Sequence, residues 1–245
     1  MSLAAGFSQH ALVLGSSGGM GRALVEEFAH SSHIDTVFAV SRRDQTPMHP
    51  KVIPIKTEYT ETAMSEVAAY LSAYTGTFSR VCICHGILHN KQIFPEKRIE
   101  DIDANALADI YHANAIIPAL WLKLLTKILV GEQICKVACF SARVGSTGDN
   151  RLGGWYSYRA SKAALNSLLK TFAIEYGRRA KNIKLIAFHP GTVKSEMSKP
   201  FQASVPEGKL FNPNFVAGRL AKLMEQIDCD GELSYLDYAG KSIPW

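Results

Sequence analysis

Apolar residues occur along this chain in short runs, separated by segments that contain polar residues and glycine. Seven runs are short, apolar and bounded by turn-forming residues, which predicts buried strands. These strands are expected at 11–15, 36–42, 51–57, 80–86, 136–141, 183–191 and 231–240. Between them apolar residues recur three and four positions apart, which predicts helices. These helices are expected at 20–31, 62–74, 104–130, 157–180 and 214–227.

Short apolar strands that alternate with helices are typical of a parallel sheet covered on both faces. We therefore expect an α/β fold: a Rossmann-type, doubly wound and mostly parallel sheet of seven strands. No repeat, linker or low-complexity tract divides the chain, so residues 1–245 are expected to form a single domain. The least regular stretch is 192–213, which contains three prolines and follows a strand. We expect it to be a mobile flap over a site.

Composition and charge narrow the classes of function. The chain has 245 residues, of which 47% are hydrophobic and 20% charged, with a net charge of +5. Its basic residues are scattered, with small groups at 42–43 and 178–181, which does not favour a nucleic-acid surface. A small anionic cofactor or substrate suits this charge better.

The cysteines indicate a reducing compartment and no metal. Their number is odd and their spacing lacks the paired CxxC of a zinc site. The run CICHG brings Cys82, Cys84 and His85 together, but no second ligand set has matching spacing, so we expect no metal. The N-terminal MSLAAGFSQHALVLG lacks a basic segment followed by a long apolar one, and no apolar run reaches membrane-spanning length. We expect a cytoplasmic protein.

A glycine-rich turn follows the first predicted strand and opens the first helix. Its GxxxGxG pattern lets backbone N–H groups approach an anion, and the helix N-terminus favours a pyrophosphate. The candidate cofactor contacts in this turn are Gly15, Ser17, Gly19, Met20 and Gly21.

The end of the second strand indicates which dinucleotide binds. It carries Ser41, Arg42 and Arg43, with no carboxylate before Asp44. An arginine here tolerates an adenosine 2′-phosphate, whereas a carboxylate would hold a 2′-hydroxyl. NADP(H) is therefore the preferred cofactor, with NAD(H) as the alternative.

Tyr158 and Lys162 stand four apart at the start of the 157–180 helix and so share one face of it. A neighbouring ammonium lowers the pKa of a phenol, which would prepare Tyr158 for proton transfer. An ordinary helix contact is the alternative, because chance YxxxK pairs are common in a chain with nine tyrosines.

Three motifs together resemble the short-chain dehydrogenase/reductase family: GxxxGxG at 15–21, YRASK at 158–162 and HPGTV at 189–193. The segments SARVGSTGDNRLGGWYSYRASKAALN and LDYAGKSIPW are similar to the C-factor branch of cell–cell signalling relatives. That branch is in turn similar to sniffer-type carbonyl reductases.

The resemblance implies roles for individual residues. Tyr158 would be the catalytic acid/base, and Lys162 would tune it and bind the nicotinamide ribose. Asn114 would help hold a proton-relay water, and Gly86 would pass the adenosine ribose. The segment beside the nicotinamide would comprise Pro190, Gly191 and Thr192, with Thr192 bonding the carboxamide.

Two positions depart from the family pattern. The family's usual serine position falls on Ala142 by strand register, directly after Ser141, whereas counting back from Tyr158 falls nearer Ser146. Ser141 is the first candidate for the catalytic hydroxyl and Ser146 the second, and the third alternative is that neither serves. At the position of the usual adenine-binding aspartate the register offers Thr57 or the adjacent Glu58.

The sequence thus predicts an NADP(H)-dependent oxidoreductase that moves hydride between the nicotinamide and a carbonyl or alcohol. A cofactor-binding signalling or sensor protein with little turnover is the alternative. The 104–130 helix carries apolar residues on more than one face, and residues 158–177 of the next helix also have apolar spacing. The resemblance implies that this pair of helices packs against a second subunit. We therefore expect a homodimer or homotetramer, without nucleic-acid or membrane partners.

Overall fold

The computed structural model of this chain describes residues 8–245. Residues 1–7, at the start of the N-terminal segment MSLAAGFSQHALVLG, lie outside the described residues. In chain order the strands are β1 (His10–Leu14), β2 (Thr36–Ser41), β3 (Val52–Lys56), β4 (Phe78–Ile83), β5 (Cys135–Phe140), β6 (Ile183–His189), β7 (Thr192–Val193), β8 (Leu210–Phe211) and β9 (Ser234–Asp237). The α-helices are α1 (Gly19–His30), α2 (Glu61–Leu71), α3 (Ala104–Tyr111), α4 (Ile117–Leu129), α5 (Tyr156–Arg179) and α6 (Pro213–Gln226).

Seven strands form one parallel sheet in the order β3-β2-β1-β4-β5-β6-β9. The predicted doubly wound, Rossmann-type α/β fold is therefore confirmed. The strand order reverses between β1 and β4, and ligands of such sheets bind in the crevice at the carboxyl ends of the strands at this point.

Two apolar cores cover the two faces of the sheet because its strands are buried on both sides. Helices α2, α4 and α5 pack on one face, where Trp121 and Leu169 are fully buried. Helices α1 and α6 pack on the other, where Leu24 and Leu220 are fully buried. Among the described residues, no helix combines the length and the apolar character that a membrane span requires.

Polar side chains cap the N-termini of three helices by accepting hydrogen bonds from backbone N–H groups of the first turn. Thr60 accepts a hydrogen bond from Ala63 N at the start of α2, and Asp103 accepts one from Ala106 N at the start of α3. Asn212 caps α6 in the same way.

The helix predicted over 104–130 is present as one helical run over residues 104–129, but it is not α-helical throughout. A π-helical turn over His112–Ile116 lies between α3 and α4, and Ile117 N bonds back to the His112 carbonyl. Pro118 supplies a physical reason, because it has no N–H for the carbonyl of Asn114, four residues earlier, and an α-helical turn would bring its ring against that carbonyl. The sequence places Asn114 inside this turn.

The flap predicted at 192–213 is more regular than expected. It contains the parallel pair β7–β8 and a 3₁₀ helix over Lys199–Ser204. Hydrogen bonds among Ser195, Ser198 and Gln202 hold its first half together. Its mobility stays a prediction.

Candidate functional site

The glycine turn connects β1 to α1 at the reversal point of the sheet. Gly15 has a φ of +83°, a conformation that favours glycine. A Cβ atom on Gly21 would overlap the Gly15 carbonyl oxygen and lie 2.7 Å from Ser16 Cα. Residue 21 must therefore be glycine for the turn to close this tightly.

The N-terminus of α1 opens toward the crevice. Gly18 is its N-cap and offers no side-chain acceptor, and the first turn has no acidic residue. The first N–H groups of a helix have no partner within the helix, so they remain available to an anion. Ser17 and Met20, on either side of Gly19, are partly exposed. A Cβ added to Gly19 would lie 3.5 Å from the Cβ of Ser195. The flap therefore reaches this turn.

The end of β2 is tied to the glycine turn by Gln45. Its Nε2 atom donates to Ser41 Oγ at 2.9 Å and to Ser16 Oγ at 2.8 Å. Ser41 is buried, whereas Arg42 is exposed with its guanidinium carbon 5.2 Å from the centroid of the Tyr59 ring. Ser41 thus takes part in the hydrogen bonds that fix the end of β2, whereas the Arg42 guanidinium next to it is exposed.

Gly86, Asn114 and Lys162 meet at the end of β4. A Cβ on Gly86 would lie 3.2 Å from both Asn114 Oδ1 and Lys162 Nζ. The Asn114 side chain accepts from Ile87 N at 2.7 Å and donates to the Ile87 carbonyl at 2.9 Å. It also donates to Ser161 Oγ at 3.0 Å. Asn114 therefore links the loop after β4 to helix α5.

Tyr158 and Lys162 share a face of α5, and Lys162 Nζ lies 5.9 Å from the centroid of the Tyr158 ring. Burial raises the pKa of Tyr158, and the nearby Tyr235 hydroxyl adds to this. Burial lowers the pKa of Lys162 to about 8. The direction for Tyr158 is opposite to the expected one because burial is its largest cause. The Lys162 ammonium donates to the Phe140 carbonyl at 2.7 Å.

The two candidate serines have different hydrogen bonds. Ser141 is buried and donates its hydroxyl to Asn166 Oδ1 at 2.6 Å. Ser146 is also buried, and its Oγ accepts from Asp149 N at 3.1 Å. Among residues 8–245 no acceptor takes the Ser146 hydroxyl proton, so Ser146 retains a donor that Ser141 has already used. Ala142 follows Ser141 and offers no hydroxyl.

Pro190, Gly191 and Thr192 follow β6 and are all partly exposed at the same edge of the sheet. Gly191 has a φ of +73°, and a Cβ there would lie 2.7 Å from the Phe211 ring and 3.1 Å from Tyr238. This residue must be glycine for the base of the flap to pack.

An aromatic cluster joins the flap to Tyr158. Trp155 packs edge-on against Tyr158 at 6.2 Å between ring centroids and against Phe201 of the flap at 5.2 Å. Trp155 adopts a φ of +54°, which is rare for a bulky residue and indicates strain. The buried Glu96 holds this start of α5: its carbonyl accepts from Trp155 N and its carboxylate accepts from Ser157.

The position after β3 carries no adenine-binding aspartate. The Thr57 hydroxyl is buried and donates to the carbonyls of Glu58 and Ala63 at 3.1 and 3.2 Å. Glu58 is exposed.

The cysteines are all free, and in the described part of the chain they and His85 belong to no group of three or more potential metal ligands. Burial raises the pKa of Cys135 and of Cys139 to about 12, so both thiols stay protonated. Neither ring nitrogen of His85 has a hydrogen-bond partner in the described part of the chain.

A comparison with known protein families agrees with this geometry. Residues 9–205 match the family model described as short chain dehydrogenase. The chain belongs to the short-chain dehydrogenase family.

Two curated relatives of this short-chain dehydrogenase illustrate the range of the family. It is 30% identical over 148 residues to C-signal of Myxococcus xanthus, which covers 59% of this chain and 82% of that protein. It is 24% identical over 238 residues to benzil reductase ((S)-benzoin forming) of Bacillus subtilis, which covers 88% of this chain and 93% of that one.

Solved structures share the fold of this short-chain dehydrogenase. The NADPH-bound carbonyl reductase from chicken fatty liver superposes with a TM-score of 0.83 at 22% identity, over 98% of this chain and 100% of that one. The carbonyl reductase Sniffer of D. melanogaster superposes with a TM-score of 0.81 at 19% identity, over 97% of this chain and 99% of that one.

The residues present fit a dinucleotide. The turn has glycine at residues 15, 18, 19 and 21, so few side chains stand between its backbone N–H groups and an anion, and the first turn of α1 is free of acidic side chains. Both ring nitrogens of His85 are buried without a hydrogen-bond partner in the described part of the chain, and the charges of Arg42 and Lys162 act on the imidazole.

Several site residues of this short-chain dehydrogenase were missed from the sequence. Gln45, Tyr59 and Glu96 lie in loops and carry no local motif. Tyr235 donates to the Ala142 carbonyl at 2.6 Å and so holds the segment of the candidate serines, although it lies 93 residues away. A buried carboxylate such as Glu96 has no signature in periodicity, since only the folded chain shows what it faces.

Proposed function

We propose that this chain is an NADP(H)-dependent oxidoreductase that interconverts carbonyl and alcohol substrates. One observation carries the proposal: Tyr158, Lys162 and Asn114 converge at the carboxyl ends of β4 and β5, and β4 is the neighbour of the strand that leads into the glycine turn. The benzil reductase relatives and the carbonyl reductase folds support a carbonyl substrate.

The bound cofactor supplies hydride, and the chain's own residues bind it and handle the proton. The first N–H groups of α1 hold the pyrophosphate, with no carboxylate in that turn to oppose it. Pro190, Gly191 and Thr192 line the nicotinamide end, and Thr192 bonds the carboxamide.

Tyr158 is the acid that protonates the substrate oxygen during reduction. Its raised pKa keeps the phenol protonated near neutral pH, which is the form that a general acid needs. Lys162 binds the nicotinamide ribose and supplies positive charge beside the phenol. Asn114 holds the loop after β4 and helps to position a proton-relay water.

A serine hydroxyl stabilises the developing charge on the substrate oxygen. Ser141 was the first candidate from the sequence, but its proton is engaged by Asn166. The free donor of Ser146 favours Ser146 for this role.

NADP(H) is preferred because Arg42 stands exposed at the end of β2 and the adjacent carboxylate, Asp44, is paired with Lys56 at 2.7 Å. The 2′-phosphate of the adenosine would accept hydrogen bonds from the Arg42 guanidinium. NAD(H) would lack this contact and bind more weakly.

A homodimer or homotetramer is proposed through α4 and α5. A groove between these helices is lined by Leu120, Leu168 and Phe172. An apolar groove of this kind fits a second copy of the same helix pair. A cytoplasmic location stays a prediction.

A signalling or sensor protein with little turnover is the second candidate. It is favoured by the match to C-signal and by Ala142 at the family's usual serine position. Such a protein would need the glycine turn but not Tyr158.

Two measurements on the same preparation separate these functions. NADPH affinity is measured by fluorescence titration, and NADPH consumption is followed with a panel of aliphatic and aromatic aldehydes, ketones and diketones that includes benzil. The proposed enzyme binds NADPH and oxidises it with at least one carbonyl. Tight binding without turnover across the panel would favour the sensor, and failure to bind either nicotinamide cofactor would overturn both.

A further inference from the structure

The exposed guanidinium of Arg42, at the proposed cofactor site, lies over the aromatic ring of Tyr59. Arg42 follows β2 and Tyr59 follows β3, so the two come from neighbouring strand ends of the sheet. The guanidinium carbon of Arg42 lies 5.2 Å from the centroid of the Tyr59 ring, within the range of a cation–π contact. The arginine is therefore not a freely solvated side chain.

The Tyr59 ring is held from inside the protein. His85 packs against it almost perpendicularly, with ring centroids 4.3 Å apart and an interplanar angle of 77°. His85 is itself buried and stacks on Trp121 at 6.4 Å. The rings of Tyr59, His85 and Trp121 thus form a column in which each ring packs against the next. Tyr59 is therefore held in place by buried residues of the core.

All three aromatic members of this column are uncharged near neutral pH. Burial raises the pKa of Tyr59 to about 12, against the opposing effect of Arg42. Burial also lowers the pKa of His85 to about 3. The imidazole therefore does not repel the guanidinium, and the phenol does not become a competing anion.

A guanidinium in a cation–π contact keeps its donors. The contact with the ring uses the charge of the group and none of its N–H bonds, which can still form a bidentate contact with a phosphate. Among the described residues Arg42 forms no ion pair, and the neighbouring Asp44 is taken by Lys56. The cation is thus held in one place with its hydrogen-bonding edge unused.

We propose that Tyr59 is the positioning residue that holds Arg42 for an adenosine 2′-phosphate, and that it thereby sets the preference for NADPH over NADH. This inference rests on the proposed function. Holding the guanidinium in place reduces the side-chain freedom that binding would otherwise have to remove, and only ligands that carry the 2′-phosphate benefit.

The test uses nucleotide fragments that lack the nicotinamide, so it does not depend on turnover. Calorimetry compares adenosine 2′,5′-bisphosphate with 5′-AMP, and the ratio of their dissociation constants measures recognition of the 2′-phosphate. In Tyr59→Leu this ratio should fall by about three- to ten-fold with unchanged 5′-AMP affinity. Tyr59→Phe keeps the ring and should retain the ratio of the wild type.

Two arginine variants serve as reference and control. Arg42→Gln should lose most of the 2′-phosphate preference, whereas Arg43→Gln removes a neighbouring exposed arginine and should lose less. Tyr59→Met also removes the ring but keeps an apolar side chain of similar length, so it should resemble Tyr59→Leu. This second variant keeps the proposal testable even if Tyr59→Leu does not fold.

The outcomes separate this inference from the proposed function. If Arg42→Gln reduces the ratio but Tyr59→Leu and Tyr59→Met do not, the role of Tyr59 is overturned while the proposed cofactor stands. If Tyr59→Leu weakens both fragments equally, Tyr59 is merely structural and the inference fails. If the wild type does not distinguish the fragments, the proposed preference for NADP(H) itself fails.

Discussion

The Nζ atom of Lys162 donates a 2.7 Å hydrogen bond to the carbonyl oxygen of Phe140, at the end of β5. The ammonium is therefore directed at the sheet edge, although it remains on the same helix face as Tyr158. Burial lowers the pKa of this lysine to about 8. Its positive charge is consequently present at neutral pH and is lost as the pH rises through about 8.

This lowered pKa predicts the pH profile of the enzyme. The kcat/KM for NADPH reports ionisations of the free enzyme, so it should be flat below pH 7 and fall above about pH 8 as Lys162 loses its proton. The residual activity of Lys162→Arg should lack this fall, because a guanidinium stays charged. A fall at the same pH in the arginine variant would exclude Lys162 as its source.

The Tyr158 hydroxyl has no hydrogen-bond partner among residues 8–245, so removing it breaks no internal contact of the described chain. Tyr158→Phe should therefore keep NADPH affinity and thermal stability while losing turnover by about 10²–10⁴-fold. Tyr156→Phe is the matched control, because Tyr156 lies exposed on the same helix two residues earlier. Equal turnover in both variants would remove Tyr158 from the mechanism.

The two serines should respond differently to removal of the hydroxyl. Ser146→Ala should lower kcat by about 10²–10³-fold, as expected for loss of one donor to a developing oxyanion. Ser141→Ala should mainly lower the free energy of unfolding, by about 1 kcal/mol, because it breaks the buried hydrogen bond to Asn166. Steady-state kinetics and thermal unfolding of both variants check this, and a larger loss of kcat in Ser141→Ala would reverse the assignment.

The sheet was predictable because each parallel strand is a short apolar run, and burial on both faces leaves this pattern little freedom. The long helix was predictable for the same reason, but the π-helical turn around Asn114 was missed, although Pro118 was a visible signal for it. A long apolar stretch looks helical throughout, whereas the lost hydrogen bond of a single proline decides the local geometry.

The backbone positions of the site followed from motifs, but the directions of its side chains did not. The spacing of Tyr158 and Lys162 places them on one face, yet it does not show that Phe140 takes the ammonium. The strained φ of Trp155 depends on Glu96, which lies 59 residues earlier in the chain. Such contacts arise from the folded topology and leave no trace in local periodicity.

The glycine turn offers a matched pair of substitutions. In Gly21→Ala the new Cβ would overlap the Gly15 carbonyl oxygen and approach Ser16 Cα, so the backbone of the cradle must move. In Gly18→Ala the nearest atom would be 3.6 Å away, which is an ordinary contact. Both variants add one methyl group to the same turn, and they differ in whether the turn has room for it.

Gly21→Ala should weaken NADPH binding by about ten-fold or more and lower the free energy of unfolding by about 1–3 kcal/mol, because the crowded backbone displaces the N–H groups that face the pyrophosphate. Gly18→Ala should change both quantities far less, since only the N-cap preference of α1 is affected. Fluorescence titration and thermal unfolding measure the two effects. Equal losses of affinity in both variants would mean that tight closure at residue 21 is not what shapes the cofactor cradle.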